Sequence, residues 1–190
     1  MIELFQRVVR HADRAAFQDG TASVSYAELL RRSARAASAL LGGGNDLEGE
    51  RIALLAPAGA AHVVAQWAIW RAGGCAVPLN PAATAPEIEH VLRTAGVLRV
   101  LAAGKQEESL RAACAATQAQ WTGLDALEAA GASGTLPEPA PERPAMIVFT
   151  SGTTGKPKGA LYTHATIAAQ VCCSIERNMM VSQSRQSGLR

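Results

Sequence analysis

The stretch 51–79 constrains the fold more than any other, because its pattern predicts a strand, a helix and a second strand. Arg51–Leu55 is a short apolar run typical of a buried strand, and 59–72 has the length and composition of a helix. Gly73 and Gly74 end that helix, and Cys75–Leu79 is the second apolar run. Two strands joined through a helix lie parallel in one sheet, so the sequence predicts an α/β fold built from βαβ units.

The residues before this unit predict two helices with a hairpin between them. Residues 2–11 have the apolar spacing of a short amphipathic helix, and Asp19-Gly20 is a hairpin turn signal. Ser25 and Glu28 have the spacing of a capping box, in which each side chain satisfies a free backbone N–H at the helix start. The helix that follows is predicted to bury one face. Its arginines at 31, 32 and 35 are expected to form a solvated face.

The residues after the unit continue the alternation of helix and strand. Thr84 to Glu87 has the spacing of a second capping box, opening a helix to about Thr94. Val97–Leu101 is predicted to be another strand and 107–117 another helix. Residues 131–144 are rich in Pro and Gly, which is typical of a linker. The chain therefore predicts a largely parallel sheet up to 130, with a new strand, Ala145–Phe149, beginning after the linker.

Composition excludes several classes of protein. The net charge is only +2 and aromatic residues make up 4%, so nothing indicates a nucleic-acid partner. The four cysteines, at 75, 114, 172 and 173, form no Cys-x-x-Cys pair and the histidines are scattered, which does not favour a zinc site. The most apolar region, 58–72, is interrupted by polar side chains, so no membrane span is expected. Without a signal-peptide pattern, the expected location is the cytoplasm.

The most distinctive chemistry lies in ten consecutive residues after the strand Ala145–Phe149. They contain three glycines, four hydroxyl side chains and two lysines: Thr150, Ser151, Gly152, Thr153, Thr154, Gly155, Lys156, Pro157, Lys158 and Gly159. Glycines let a backbone approach an anion and direct N–H groups at it. Hydroxyls add hydrogen-bond donors and lysines add positive charge, so the stretch predicts a phosphate-binding loop.

This loop is not a Walker-type nucleotide loop. That pattern requires a glycine five residues before the Gly-Lys pair and a Ser or Thr after it, whereas Thr150 and Pro157 occupy those positions. The stretch resembles instead the phosphate loop of the adenylate-forming (AMP-binding) superfamily, whose signature Thr-Ser-Gly-Thr-Thr-Gly-x-Pro-Lys-Gly it matches at every fixed position. The amino-acid sequences of 46–54 and 64–80 also resemble this superfamily, with malonyl-CoA synthetases as the most similar branch.

The resemblance implies an acyl-CoA synthetase that uses ATP, Mg²⁺ carried in with ATP, and coenzyme A to activate a small-molecule carboxylate, of the malonyl-CoA or the fatty-acid type. It implies that Lys158 is catalytic and neutralises charge as pyrophosphate leaves. The nucleotide phosphates would be held by the rest of the loop, namely Thr150, Ser151, Gly152, Thr153, Thr154, Gly155, Lys156 and Gly159. Lys156 occupies the free position of the signature and is expected to be an exposed helper. His164 is expected to cap or pack a helix over 165–175.

The resemblance also divides the chain. Residues 1–130 would be the N-terminal subdomain of the AMP-binding domain, 131–144 a linker and 145–190 the start of the next subdomain, ending in a frayed tail from 178. Family enzymes are more than twice as long and carry later motifs that are not found here. We therefore expect a fragment of an acyl-CoA synthetase that is marginally stable and inactive when isolated. The alternative is a truncated, catalytically inactive nucleotide-binding remnant or interaction module.

Overall fold

A computed structural model describes residues 3–19, 22–104, 108–132, 134–150 and 158–174. The strands are β1 (Ala15–Asp19), β2 (Ala22–Ser25), β3 (Arg51–Leu55), β4 (Cys75–Pro78), β5 (Arg99–Ala102), β6 (Gln120–Gly123), β7 (Pro144–Thr150) and β8 (Lys158–Thr163). The helices are α1 (Glu3–Val9), α2 (Tyr26–Leu41), α3 (Ala60–Arg71), α4 (Ala85–Ala95), α5 (Glu108–Thr117), α6 (Leu124–Ala130) and α7 (164–174).

Six strands form one mixed sheet in the order β6-β5-β3-β4-β7-β8. All neighbours pair in parallel except β7 and β8, which form an antiparallel hairpin at one edge. The predicted α/β fold with a largely parallel sheet is therefore confirmed. The predicted hairpin near Asp19 is confirmed too, since β1 and β2 pair antiparallel.

Helices cover both faces of the sheet because successive residues of each buried strand point to opposite sides. Ile52 and Leu54 of β3 face the cluster formed with α1, α2, α3 and α6. Ala53 and Leu55 face the cluster formed with α4 and α5. Strands buried on both faces explain why the sequence shows continuous apolar runs at 51–55 and 75–79 rather than alternation.

Of the two predicted capping boxes, the one at Thr84 and Glu87 has both of its hydrogen bonds. The one at Ser25 and Glu28 has only the bond to the Ser25 side chain. Glu87 accepts hydrogen bonds from the Thr84 N–H at 2.8 Å and from the Thr84 hydroxyl at 2.8 Å. Ser25 accepts one from the Glu28 N–H at 3.2 Å. The Glu28 carboxylate binds the Arg31 guanidinium instead of completing the box, which lowers the pKa of Glu28.

The predicted solvated arginine face of α2 is wrong for two of its three members. Arg32 makes paired hydrogen bonds of 2.8 Å to the Glu128 carboxylate, and Arg35 donates to the Glu128 carbonyl oxygen at 2.8 Å. Both side chains therefore fasten α6 to α2. Only Arg31 is exposed, paired with Glu28 one turn away. The sequence pattern does not predict these contacts, because it predicts neither β6 nor α6.

Candidate functional site

The phosphate-loop sequence joins the two strands of the edge hairpin. Thr150, the last residue of β7, is the register partner of Lys158, the first residue of β8. Both ends of the stretch 151–157 are therefore held one strand spacing apart. The side chains of Thr150 and Lys158 are exposed, as contact with a ligand requires.

The remaining predicted loop residues lie outside the part of the chain that the structure describes. These are Ser151, Gly152, Thr153, Thr154, Gly155 and Lys156. Their assignment to phosphate binding stays a prediction, as does the tail beyond 174. The structure brings together Thr150, Lys158 and Gly159 at the base of the loop.

The loop leaves the sheet at the edge where ligands bind in open α/β folds. β7 runs parallel to β4, so Thr150 lies at the carboxyl end of the parallel strands. The turn after β4 and the start of α4 follow at the same end. Clefts at the carboxyl ends of parallel strands are the usual binding sites of such sheets. The topology therefore places Thr150 and Lys158, the residues on either side of 151–157, at the edge where a nucleotide would be expected.

Phe149 fixes the packing of the loop base and explains the last glycine of the motif. Phe149 and Ile147 pack against the cluster under α4, and Phe149 is the register partner of Gly159. A Cβ atom at Gly159 would lie 2.9 Å from Ile147 Cγ2 and 3.3 Å from Phe149 Cζ. Since real Cβ contacts are longer than this, any side chain at 159 would displace the two apolar residues.

A cavity of about 180 Å³ opens beside Phe149. Its other walls come from the end of β4 and from α4, including Leu79, Asn80 and Glu87. The Asn80 side-chain oxygen accepts a hydrogen bond from the Ala82 N–H at 3.0 Å, which fixes the turn after β4. The walls of this cavity are therefore held by local hydrogen bonds as well as by packing.

Trp70 ties the hairpin to the body of the sheet. Its indole N–H donates to the Ala145 carbonyl oxygen at 2.7 Å, although Trp70 itself belongs to α3. His164, which follows β8, packs edge-on against the Trp70 ring at 5.8 Å between centroids. The start of β7 and the residue after β8 are thus held by one buried aromatic side chain.

A half-buried ion pair provides a second tie. Arg143, just before β7, donates to both carboxylate oxygens of Asp46, at 2.7 and 2.6 Å. Burial opposes ionisation of Asp46, but the bonds from Arg143 and the Glu48 N–H outweigh it and lower the pKa of Asp46. Gly73 makes room for the pair, since its φ is +84° and a Cβ there would lie 2.0 Å from Asp46 Oδ1.

His164 packs in the interior, which is one of the two roles that the sequence predicted for it. It is 4% exposed, and burial together with the positive charge of Arg143 lowers its pKa to about 4. Among the described residues, none accepts or donates a hydrogen bond at His164 Nε2. The helix start is capped instead by Thr163, whose hydroxyl accepts from the Thr166 N–H at 3.2 Å.

The sequence missed the residues that support the loop. One signal was available for Phe149: it stands two residues after Ile147 in a strand, so both point to the same face. Nothing in the sequence linked Trp70 to Ala145 or Asp46 to Arg143, because these partners are 75 and 97 residues apart.

The chemistry of the loop base fits an anionic group. An exposed ammonium, Lys158, faces an exposed hydroxyl, Thr150, across the hairpin. Within the described ranges, no group of three or more His, Cys, Asp or Glu side chains is placed to hold a metal ion. No helix in those ranges has both the length and the apolarity of a membrane span.

Comparison with known proteins gives one consistent family. The model of the family described as AMP-binding enzyme matches residues 4–186. The human protein named malonate–CoA ligase ACSF3, mitochondrial, is 38% identical over 181 residues, covering 88% of this chain and 31% of that protein. The chain thus spans about a third of the length of the curated relatives it matches.

Two solved structures share both the fold and part of the sequence. Apo MatB from Rhodopseudomonas palustris superposes with a TM-score of 0.75 at 26% identity, covering 89% of this chain and 36% of that one. The o-succinylbenzoate coenzyme A synthetase MenE from Bacillus subtilis, in complex with AMP, gives 0.72 at 29% identity, covering 84% and 41%.

Proposed function

The chain belongs to the AMP-binding enzyme family, and on that premise we propose that it is the N-terminal part of an ATP-dependent acyl-CoA synthetase. In the proposed reaction a carboxylate attacks the α-phosphate of ATP, releases pyrophosphate and forms an acyl-adenylate. The thiol of coenzyme A then displaces AMP. The observation that carries the proposal is the signature stretch 150–159, held by its two ends at the carboxyl edge of the parallel strands.

The loop would act by positioning and charge rather than by covalent chemistry. Transfer of phosphoryl and nucleotidyl groups requires alignment of the reacting groups and stabilisation of negative charge. The hydroxyls of Ser151, Thr153 and Thr154 and the backbone N–H groups of the loop glycines would hold the β- and γ-phosphates. Lys158 would neutralise the charge that develops as pyrophosphate leaves. Mg²⁺ would arrive bound to ATP.

Lys158 is suited to this role by its position in the ladder. The hairpin fixes its backbone opposite Thr150, while its exposed side chain is free to reach towards a ligand above the sheet edge. Gly159 then lets Phe149 close the base of the loop from the α4 side. Lysine supplies a compact charge on a long stem, which suits contact with a departing anion.

Malonate is the carboxylate that we propose as substrate. The support is the name of the human relative and of three further vertebrate relatives at 30–34% identity. The nucleotide site is supported by MenE, whose structure contains AMP. The proposed location remains the cytoplasm, although the name of the human relative assigns that protein to mitochondria.

Nothing in the structure or the comparisons favours the alternative of an inactive remnant or interaction module. The division of the chain into two subdomains at 131–144 also remains a proposal. The strand that follows this segment, β7, pairs with β4 in the same sheet through Ala76 and Met146.

The first test measures binding of pyrophosphate and Mg·ATP to the 190-residue chain by calorimetry. We expect Lys158→Ala to weaken pyrophosphate binding by about tenfold or more, since hydrogen bonds to charged groups contribute about 1.5–3 kcal/mol. Arg93→Ala is the matched control, because it removes an exposed cation at the far end of α4. Equal weakening by both variants would mean that only general positive charge matters.

The second test measures activity and substrate in a chimera. The matched region of the human malonate–CoA ligase is replaced by this chain, and malonate-dependent exchange of pyrophosphate into ATP is measured. We expect exchange in the chimera, its loss with Lys158→Ala, and none from the 190-residue chain alone. Exchange that persists in the Lys158→Ala chimera would remove the proposed role of Lys158. Exchange with acetate but not malonate would correct the substrate alone.

A further inference from the structure

A second cavity, of about 290 Å³, lies on the opposite side of the sheet from Phe149. It is enclosed by α1, α2, the end of α3 and the segment 134–139. Most of its walls are apolar: Phe5, Val9, Leu30, Leu136, Pro137 and Pro139. Two charged residues, Arg71 and Glu138, also line it. The residues on these helices face the first core cluster, whereas the loop base packs on the second.

The guanidinium of Arg71 is held in place at this cavity but is not neutralised. Its Nη1 donates to the Leu30 carbonyl oxygen at 2.5 Å and to the Ser33 hydroxyl at 3.0 Å. The Phe5 ring lies 5.6 Å from its Cζ atom. These contacts fix the orientation of the guanidinium plane, and they use neutral partners alone.

Arg71 differs in this from three other half-buried arginines. Arg32, Arg99 and Arg143 each bind a carboxylate, on Glu128, Glu50 and Asp46. Among the residues described, Arg35 also donates only to backbone carbonyl oxygens, but it does not line the cavity. Within the described ranges no carboxylate is within ion-pair distance of Arg71, and its Nε and Nη2 donors have no acceptor. Burial accordingly lowers the pKa of Arg71 with no opposing effect from an acid.

A partly buried guanidinium that lacks an ion-pair partner loses part of its hydration without full compensation, and a carboxylate that binds it in paired hydrogen bonds relieves that cost. We propose that this cavity binds a small amphiphilic monocarboxylate, with its carboxylate on the free donors of Arg71 and its apolar tail along Phe5, Val9 and Leu136. The volume is near the lower end for small-molecule sites, which suits a tail of medium length. This site is separate from the proposed nucleotide loop.

The test titrates the 190-residue chain with sodium octanoate and follows backbone amide shifts by NMR. Octan-1-ol, which has the same tail without charge, and acetate, which has the charge without the tail, are the matched probes. We expect octanoate to bind with a Kd below about 1 mM, at least about tenfold tighter than either probe. The shifts should cluster on α1 and on the segment 134–139.

Two variants separate charge recognition from folding. Arg71→Gln should weaken octanoate binding about tenfold, since a charged hydrogen-bond pair is lost. Because Arg71 also joins α3 to α2, Val9→Glu provides an independent check. Val9 is 52% exposed, so a glutamate there keeps the core intact and repels a carboxylate at the cavity. Arg93→Gln, on α4, should leave the affinity unchanged.

Several results would overturn this inference. Octanol binding as tightly as octanoate would show an apolar groove without carboxylate recognition. Octanoate affinity that is unchanged in both Arg71→Gln and Val9→Glu would exclude Arg71 as the anchor. If octanoate does not bind even at concentrations well above about 1 mM, the site is excluded. Lys158→Ala should not alter octanoate binding, so failure of this proposal and failure of the proposed nucleotide site can be distinguished.

Discussion

The centre of the sheet and its edge hairpin are built differently. In the centre, β3 pairs with four residues of β4 and four of β5, and Ile52 to Leu54 are fully buried. In the hairpin, β7 joins β4 through a single register pair, and most of β8 is exposed. Stability therefore resides mainly in the centre, and the predicted phosphate chemistry is carried by the part with less core.

The hairpin is consequently positioned by a few specific contacts rather than by a large buried surface. These are the Trp70 hydrogen bond to Ala145, the Asp46–Arg143 ion pair and the packing of His164. We infer that substitutions in these contacts change the geometry of the loop before they unfold the sheet. The following experiments separate the two regions, from the largest expected effect to the smallest.

Trp70→Ala should have the largest effect because it removes a core side chain and the tie to β7 together. Trp70 is 4% exposed, and truncating a buried aromatic residue costs about 3–5 kcal/mol. The free energy of unfolding is measured by urea denaturation. Trp121→Ala is the control, since Trp121 is 36% exposed and should cost about 1 kcal/mol or less. Similar losses would show that Trp70 does not join the two regions.

His164 should make the junction sensitive to acid. Its folded-state pKa of about 4 is below the ordinary value of 6.5, so protons bind preferentially to the unfolded chain. Stability from this group is complete above about pH 6.5 and is lost as the pH falls towards 4, by at most about 3 kcal/mol. His164→Phe keeps the ring contact with Trp70 and should flatten the pH dependence in this range. An unchanged slope would show that folding does not lower the pKa of His164.

Gly159→Ala should have a moderate effect confined to the hairpin. The added methyl group would meet Ile147 and Phe149, and overpacking of this kind costs about 1–3 kcal/mol. Pyrophosphate affinity should fall with it, because Phe149 must move. The double variant Phe149→Leu with Gly159→Ala should recover part of both losses. If the double variant is no better than the single one, the clash is with Ile147 rather than with Phe149.

Leu161→Ala should have the smallest effect. Leu161 is 59% exposed on β8, so its truncation should change the free energy of unfolding by less than about 0.5 kcal/mol. Leu54→Ala is the counterpart in the centre, where Leu54 is fully buried, and should cost about 2–5 kcal/mol. A large loss for Leu161→Ala would show that this face is covered in solution.

Local pattern was sufficient to predict the centre of the sheet. The runs at 51–55 and 75–79 became β3 and β4 in parallel, and the helix between them became α3. Trp67 and Trp70 of this helix are both buried. Each of these elements is marked by its own composition, so tertiary structure added little that the pattern lacked.

The edge strand β6 and the helix α6 could not be predicted in this way. The side chains of Gln120, Trp121 and Thr122 are exposed, so the strand has no apolar signature. α6 is short and alanine-rich, and it is held by Arg32 and Arg35 of α2, 93–96 residues earlier. Contacts of that separation leave no trace in a single sequence, which is also why the pattern on α2 predicts a solvated face for those arginines.

In the candidate site, too, some residues are predicted by local sequence and others are found only in the fold. The motif predicted which side chains would contact phosphate, and the structure places Thr150, Lys158 and Gly159 together at the expected edge. The supports of that edge, Trp70 and the Asp46–Arg143 pair, depend on distant partners and emerged only from the fold.

The register pair Thr150–Lys158 also bears on how the loop can vary in length. The ladder of the hairpin holds the two ends of the seven-residue stretch 151–157 together whatever lies between them. Chain-closure entropy rises only slowly with length, by about 0.6 kcal/mol for each doubling. Extra residues at the tip would therefore cost the fold little. The stability of the sheet therefore does not fix the length of the loop. On the proposed function, the size of the phosphate group to be bound would be the stronger constraint.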